Sequence, residues 1–163
     1  MNEAWCGVSL LVRTIALCAL LLLGSACDEL FYVGLDATST PDVPVFDYGH
    51  KEDLSGLAKL YGFSLEGRPL DTACWSTFWD IHVVEGRRYV EVDRLTYGQA
   101  PSGFNTTVNA APLLAGYVYS GNGGFHGIGR DCYFEVTEDS LGAKHIRELT
   151  EAEFRSITSN GGG

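Results

Sequence analysis

The sequence predicts an α+β protein: a small antiparallel sheet of four to six strands and two short helices, following a cleaved signal and a flexible stalk. Apolar and polar residues alternate through much of residues 74–97 and 132–137, as in strands that bury one face. Helical spacing of apolar residues occurs in 53–62, and a capping box opens 150–157. Residues 1–26 have neither pattern and resemble an export signal.

The composition is that of one folded, acidic domain. Of 163 residues, 45% are hydrophobic and 12% aromatic, which is too apolar for a disordered chain. The formal net charge is −10, from 21 acidic and 11 basic residues. Such a surface repels phosphate backbones, so nucleic-acid binding is excluded as a function class.

The N-terminal segment has the layout of a secretory signal. Arg13 precedes an uncharged, Leu-rich run over residues 14–26, which is long enough for a translocon but too short for a bilayer span. The run ends in Leu-Gly-Ser-Ala followed by Cys27, which resembles the lipobox of bacterial lipoprotein precursors. The sequence departs from that pattern at Gly24, where a larger aliphatic residue is usual.

The resemblance implies that residues 1–26 are removed and that Cys27 carries a lipid. The protein would then be held on a membrane of the bacterial cell envelope, facing the periplasm or the cell surface. Two alternatives stay open. An ordinary secretory peptidase would release a soluble protein, and an uncleaved anchor would place Arg13 inside the apolar segment at considerable cost.

The mature chain is predicted to begin with a stalk over residues 27–50, where prolines and small polar residues favour extended, solvated backbone. An alternative is a strand near residues 43–48. The globular domain is then assigned to 51–158, and 159–163 to a flexible tail.

The first element of that domain is predicted as a helix over residues 53–62, with Asp53 as its cap and Gly62 as its stop. A hairpin follows, in which residues 74–84 pair with 89–97 through a tight turn at Gly86.

Two polar or glycine-rich stretches, 98–109 and 121–130, are predicted as loops. Residues 113–120, 132–137 and 143–149 are predicted as strands. The last element is a helix over 150–157, opened by a capping box of Thr150 and Glu153.

The two cysteines of the mature domain, Cys74 and Cys132, predict a disulfide, because export takes them to an oxidising compartment. The alternative is a pair of buried free thiols.

The predicted hairpin places four side chains on one polar face: Asp80, His82, Glu91 and Asp93. Three carboxylates and one imidazole suit Ca²⁺ or Mn²⁺, given the excess of oxygen ligands. The competing interpretation is a solvated outer face without a cofactor. His126, in the glycine-rich stretch, is a candidate ligand-binding residue.

The sequence contains no G-x-S-x-G elbow, no G-x-G-x-x-G fingerprint and no phosphate-binding loop. It therefore predicts a lipid-anchored envelope protein with a binding or scaffolding domain and no catalytic residues, whose partner is an envelope protein or glycan. The alternative function is a divalent-metal-dependent module built on the hairpin face.

Overall fold

The computed structural model describes residues 30–50, 57–125, 128–129 and 131–160. The described residues form eleven strands and one helix. The strands are β1 Leu30–Leu35, β2 Val45–His50, β3 Ala58–Pro69, β4 Ser76–Val83, β5 Val90–Val92, β6 Arg94–Thr96, β7 Phe104–Val108, β8 Tyr117–Phe125, β9 Ile128–Gly129, β10 Cys132–Glu138 and β11 Lys144–Leu149, and the helix is α1 Glu151–Asn160.

The strands are arranged in two sheets. The larger sheet has the order β11-β10-β8-β3-β4-β7, and β5 also pairs with β3. The smaller sheet has the order β6-β2-β1-β9. All pairs are antiparallel except β1 with β9.

β3 is the central strand of the larger sheet, with β8 along one edge and β4 and β5 along the other. Two of its glycines are needed for close packing. A Cβ on Gly62 would lie 2.8 Å from Nδ1 of His82, and one on Gly67 would lie 2.5 Å from the ring of Tyr119. Any larger residue would push the neighbouring strands away.

The core lies between the two sheets and is rich in aromatic rings. Phe46 of β2 is fully buried and lies 4.7 Å, centroid to centroid, from Phe63 of β3 and 6.2 Å from Phe134 of β10. Trp79 of β4 continues the cluster at 5.6 Å from Phe63. One hydrophobic core therefore joins the smaller sheet to the larger.

The predicted α+β class is wrong, because the described residues are mainly β with one short helix. The helix predicted over residues 53–62 is wrong for 58–62, which lie in β3; residues 53–56 lie outside the described residues. Leu57, Ala58, Leu60 and Tyr61 fit helical spacing, but pairing on both edges of β3 decides the outcome.

The predicted stalk over residues 27–50 is also wrong from Leu30 onward. Residues 30–35 and 45–50 pair as β1 and β2, so the fold does not begin at residue 51. Proline and small polar residues are confined to the connection, where Oδ1 of Asp36 accepts a hydrogen bond from the Thr38 amide at 2.8 Å. The alternative of a strand near 43–48 is confirmed as β2.

The predicted hairpin between residues 74–84 and 89–97 does not form. β4 pairs with β3 and β7, whereas β5 pairs with β3 and β6 with β2. The connection after β4 is longer than a two-residue turn: the Val84 amide bonds Gly103 O and the Arg87 amide bonds Val84 O. The chain therefore leaves the edge of β4 before it returns as β5.

Both stretches predicted as loops contain strands. Residues 104–108 form β7, and Gly121, Gly123 and Gly124 lie inside β8. A Cβ on Gly121 would lie 3.1 Å from the Phe63 ring, so this glycine lets two strands and a ring pack closely. The strands predicted over 132–137 and 143–149 are confirmed as β10 and β11.

The C-terminal helix is confirmed as α1. It packs on the outer side of β10 and β11, where the Phe154 ring stacks on Tyr133 at 4.1 Å and lies 5.9 Å from Trp75. The predicted tail begins inside this helix, which extends to Asn160.

Candidate functional site

The four predicted metal ligands divide between separate places in the fold. Asp80 and His82 of β4 come together, with Oδ2 of Asp80 3.0 Å from Nε2 of His82. Glu91 of β5 lies opposite Lys59 of β3, and Asp93 lies between β5 and β6, where its carbonyl accepts the Tyr48 amide. Across the described residues, no group of three or more His, Cys, Asp or Glu side chains could hold a metal ion.

The Asp80–His82 pair has a third member that the sequence did not suggest. The Thr107 hydroxyl of β7 donates to the Asp80 carboxylate and lies 3.1 Å from its backbone carbonyl. The carboxylate thus lies between the hydroxyl and the imidazole, which differs from the order of a catalytic triad, where the imidazole lies between the other two groups. These hydrogen bonds link β7 to β4 at the edge of the larger sheet.

The two cysteines are not bonded in the structure. Cys74 is exposed in the connection between β3 and β4, whereas Cys132 is buried at the start of β10, opposite Gly121. Burial raises the pKa of the Cys132 thiol, with smaller contributions from Glu148 and Asp131. Cys132 is therefore a protonated core residue in this arrangement.

The remaining predicted sites lie outside the described residues. These are the signal over residues 1–26, the lipid-attachment Cys27 and the loop residue His126.

The edge strand β7 combines exposure with the absence of charge. Residues 105–112 are exposed in succession, with the sequence Asn-Thr-Thr-Val-Asn-Ala-Ala-Pro. The uncharged region is wider than this, since residues 95–129 contain no Asp, Glu, Lys or Arg in a chain that is 20% charged. We call residues 105–112 the neutral edge.

No family model, curated protein or solved structure matches this chain. No helix within the described residues is both long and apolar enough to cross a membrane.

A buried arginine lies beneath α1. Arg68 of β3 is 1% exposed and donates hydrogen bonds to the carbonyls of Thr72 and Ile157. Its guanidinium carbon lies 5.7 Å from the centre of the Trp75 ring. Among the described residues no carboxylate forms an ion pair with Arg68, and its Nε has no hydrogen-bond partner.

Arg68 therefore acts as a structural cation. The last turn of α1 contains no basic residue, and Arg68 supplies positive charge from the sheet to a carbonyl near the negative end of the helix. Sequence reasoning missed this residue, since an arginine in a strand ordinarily lies on the solvated face.

Proposed function

We propose that this chain is a lipid-anchored protein of a bacterial cell envelope whose β domain binds or scaffolds a protein partner at the membrane surface. The anchor is supported by the lipobox-like sequence that ends at Cys27. The binding role is supported by the neutral edge. Its residues are exposed along β7 and beyond it, and none of them is charged. No catalytic residue is part of the proposal.

The folded domain begins close to the proposed lipid-attachment residue. β1 begins at Leu30, soon after the proposed lipid-bearing Cys27. At about 3.3 Å per extended residue, the intervening chain can span at most roughly 10 Å. An anchored domain would therefore lie next to the lipid headgroups rather than at the end of a long stalk.

This placement favours partners at the same membrane. A protein held by lipid chains is confined to a thin layer, which raises its effective concentration toward other proteins there. The net charge of −10 opposes close contact with acidic surfaces. The neutral edge lacks that repulsion, and this is the single observation on which the binding role depends.

The metal-dependent alternative gains no support from the geometry. Only Asp80 and His82 of the four predicted ligands meet, and the Asp80 carboxylate already accepts the Thr107 hydroxyl.

The anchor is tested by expressing the full chain in a lipoprotein-processing bacterium and measuring the intact mass of the mature protein. We expect a diacylglyceryl or triacylated form beginning at Cys27, which partitions into detergent. Cys27→Ser should abolish the added mass, whereas Cys18→Ser, inside the removed signal, should leave it unchanged. Lipid-free protein beginning elsewhere, or full detergent partitioning of Cys27→Ser, would overturn the anchor.

A further inference from the structure

β7 is an open edge of the larger sheet. It pairs with β4 on one side, and within the described residues no strand pairs with its other side. Natural proteins protect such edges with charged side chains, proline or very short strands, because an open edge invites pairing with another chain. β7 has five residues, Phe-Asn-Thr-Thr-Val, and contains neither charge nor proline. Its pairing with β4 shifts by one residue at Thr107, a β-bulge that limits the regular part of this edge to the residues before Thr107.

The other edges of the described sheets are protected. β11, at the opposite end of the larger sheet, contains Lys144, His145, Arg147 and Glu148. In the smaller sheet the edge strands β6 and β9 have three and two residues, and Arg94 of β6 forms an ion pair with Asp36. The neutral edge is thus the place in the described fold where a sheet can extend without bringing charges together.

The register identifies the backbone groups that an added strand would meet. The Val84 amide donates to Gly103 O, and the register continues as His82 opposite Asn105 and Ile81 opposite Thr106. Hydrogen-bonded and non-hydrogen-bonded pairs alternate in antiparallel sheets, so Asn105 bonds to β4 whereas the amide and carbonyl of Thr106 point away from it. Thr106 therefore presents one donor and one acceptor at the open edge.

We infer that the occupant of this edge is a second copy of the same chain, paired β7 to β7 in antiparallel orientation around a two-fold axis at Thr106. Such a contact is self-complementary: the Thr106 amide of each copy donates to the Thr106 carbonyl of the other. The larger sheets of the two copies then form one continuous sheet. This inference rests on the proposed binding function and names its partner.

The distribution of charge favours a second copy of the chain as the occupant of this edge. Two chains of net charge −10 repel each other over most approaches, and the repulsion is weakest where neither surface carries charge. The side chains of the neutral edge meet this condition on both sides of a two-fold contact at once, and the Asp80 carboxylate of β4 that contacts Thr107 also pairs with His82. The run from Asn105 to Pro112 extends the uncharged surface beyond the paired strands, so that flanking residues also meet without repulsion.

The inference is tested by sedimentation equilibrium of the mature protein in density-matched detergent, over about two orders of magnitude in concentration. We expect a monomer–dimer equilibrium. Thr106→Pro removes the outward amide but no hydrogen bond to β4, and it should raise the dimer dissociation constant at least about tenfold. Thr106→Lys places two like charges directly opposite each other and should also weaken the dimer.

Thr106→Val is the matched control, because it keeps a β-branched side chain and the backbone groups, and it should dimerise like the wild type. Circular dichroism and thermal unfolding of each variant identify any loss of fold, and Thr106→Lys serves as the decisive variant if Thr106→Pro does not fold. A monomer at every concentration, or a dimer unaffected by Thr106→Lys in folded protein, would overturn the inference.

These outcomes are separable from failure of the anchor. If the mature protein carries no lipid, the same measurement is made in buffer without detergent, where the β7 contact predicts the same order of variants. A lipid-bearing monomer would leave the anchor intact and remove the second copy as partner.

Discussion

At the residue scale, the capping box at the start of α1 connects sequence to structure most directly. Oε2 of Glu153 accepts hydrogen bonds from the Thr150 amide at 2.8 Å and the Thr150 hydroxyl at 2.7 Å, while the Glu153 amide donates to the same hydroxyl at 3.3 Å. Oε1 pairs with the Arg147 guanidinium at 2.9 Å. Led by the bond from the Thr150 hydroxyl, these interactions lower the pKa of Glu153 from 4.5 to about 2.

The lowered pKa predicts how Glu153→Gln changes the response to acid. Because the folded-state pKa lies below the unfolded one, the charge of Glu153 stabilises the fold fully above about pH 4.5, and this contribution is lost as pH falls through about 2. Glutamine keeps a capping oxygen but no charge. The variant should therefore melt at a lower temperature than wild type at neutral pH, and the two melting temperatures should converge as the pH falls to about 2.

The control for this comparison is Glu85→Gln, in the exposed connection after β4. This variant also removes one negative charge, but away from the cap. Its melting temperature should equal that of wild type at every pH. A Glu153→Gln deficit that stays constant with pH would show that the carboxylate charge has no part in the cap.

At the element scale, elements with their own local signals were predictable and those fixed by distant pairing were not. α1 carries its start signal in Thr150 and Glu153, and β10 alternates cleanly through Cys132, Phe134 and Val136. Residues 58–62 fit both helical and strand periodicity, so their pairing partners decide. The alternation along one strand likewise predicted that Asp80 and His82 lie together. It could not predict the position of Glu91, because that position depends on which strand pairs with β5.

Arg68 contacts α1 through the Ile157 carbonyl, and we expect it to stabilise the docking of this helix onto the sheet. Replacing it with alanine removes the hydrogen bonds to the Thr72 and Ile157 carbonyls and the contact with Trp75. We expect Arg68→Ala to lower the free energy of unfolding by about 2–4 kcal/mol and to speed hydrogen exchange of α1 amides. Urea denaturation and exchange measured by mass spectrometry test the two effects.

The matched arginine is Arg155, on the exposed side of α1, where it pairs with Glu151 one turn earlier. Arg155→Ala should cost less than about 0.5 kcal/mol, because exposed pairs of this spacing contribute little. Equal costs for the two alanine variants would mean that Arg68 does not hold the helix.

At the scale of the whole molecule, the decisive feature is that one core joins both sheets. The smaller sheet contributes Val33, Phe46 and Leu95, all fully buried, and the larger contributes Phe63 and Phe134. Residues 30–50 are therefore part of the folding unit. Their composition suggested a stalk because the prolines and small polar residues of the connection outnumber the few apolar residues that reach the core.

Phe46→Ala tests this organisation. The side chain is fully buried between Phe63 and Phe134, so its removal leaves a cavity at the junction of the sheets. We expect the free energy of unfolding to fall by about 3–5 kcal/mol, in a single urea transition followed by circular dichroism and by fluorescence of the buried Trp79.

Val43→Ala is the control within the same segment, because Val43 is 43% exposed in the connection between β1 and β2. It should change the unfolding free energy by no more than about 0.5 kcal/mol. If Phe46→Ala unfolds at the urea concentration of wild type, residues 30–50 are a tether after all, and the domain would lie farther from the membrane. If the expected loss is found, residues 30–50 belong to the folding unit, and the proposed lipid on Cys27 would restrict the orientation as well as the location of the neutral edge.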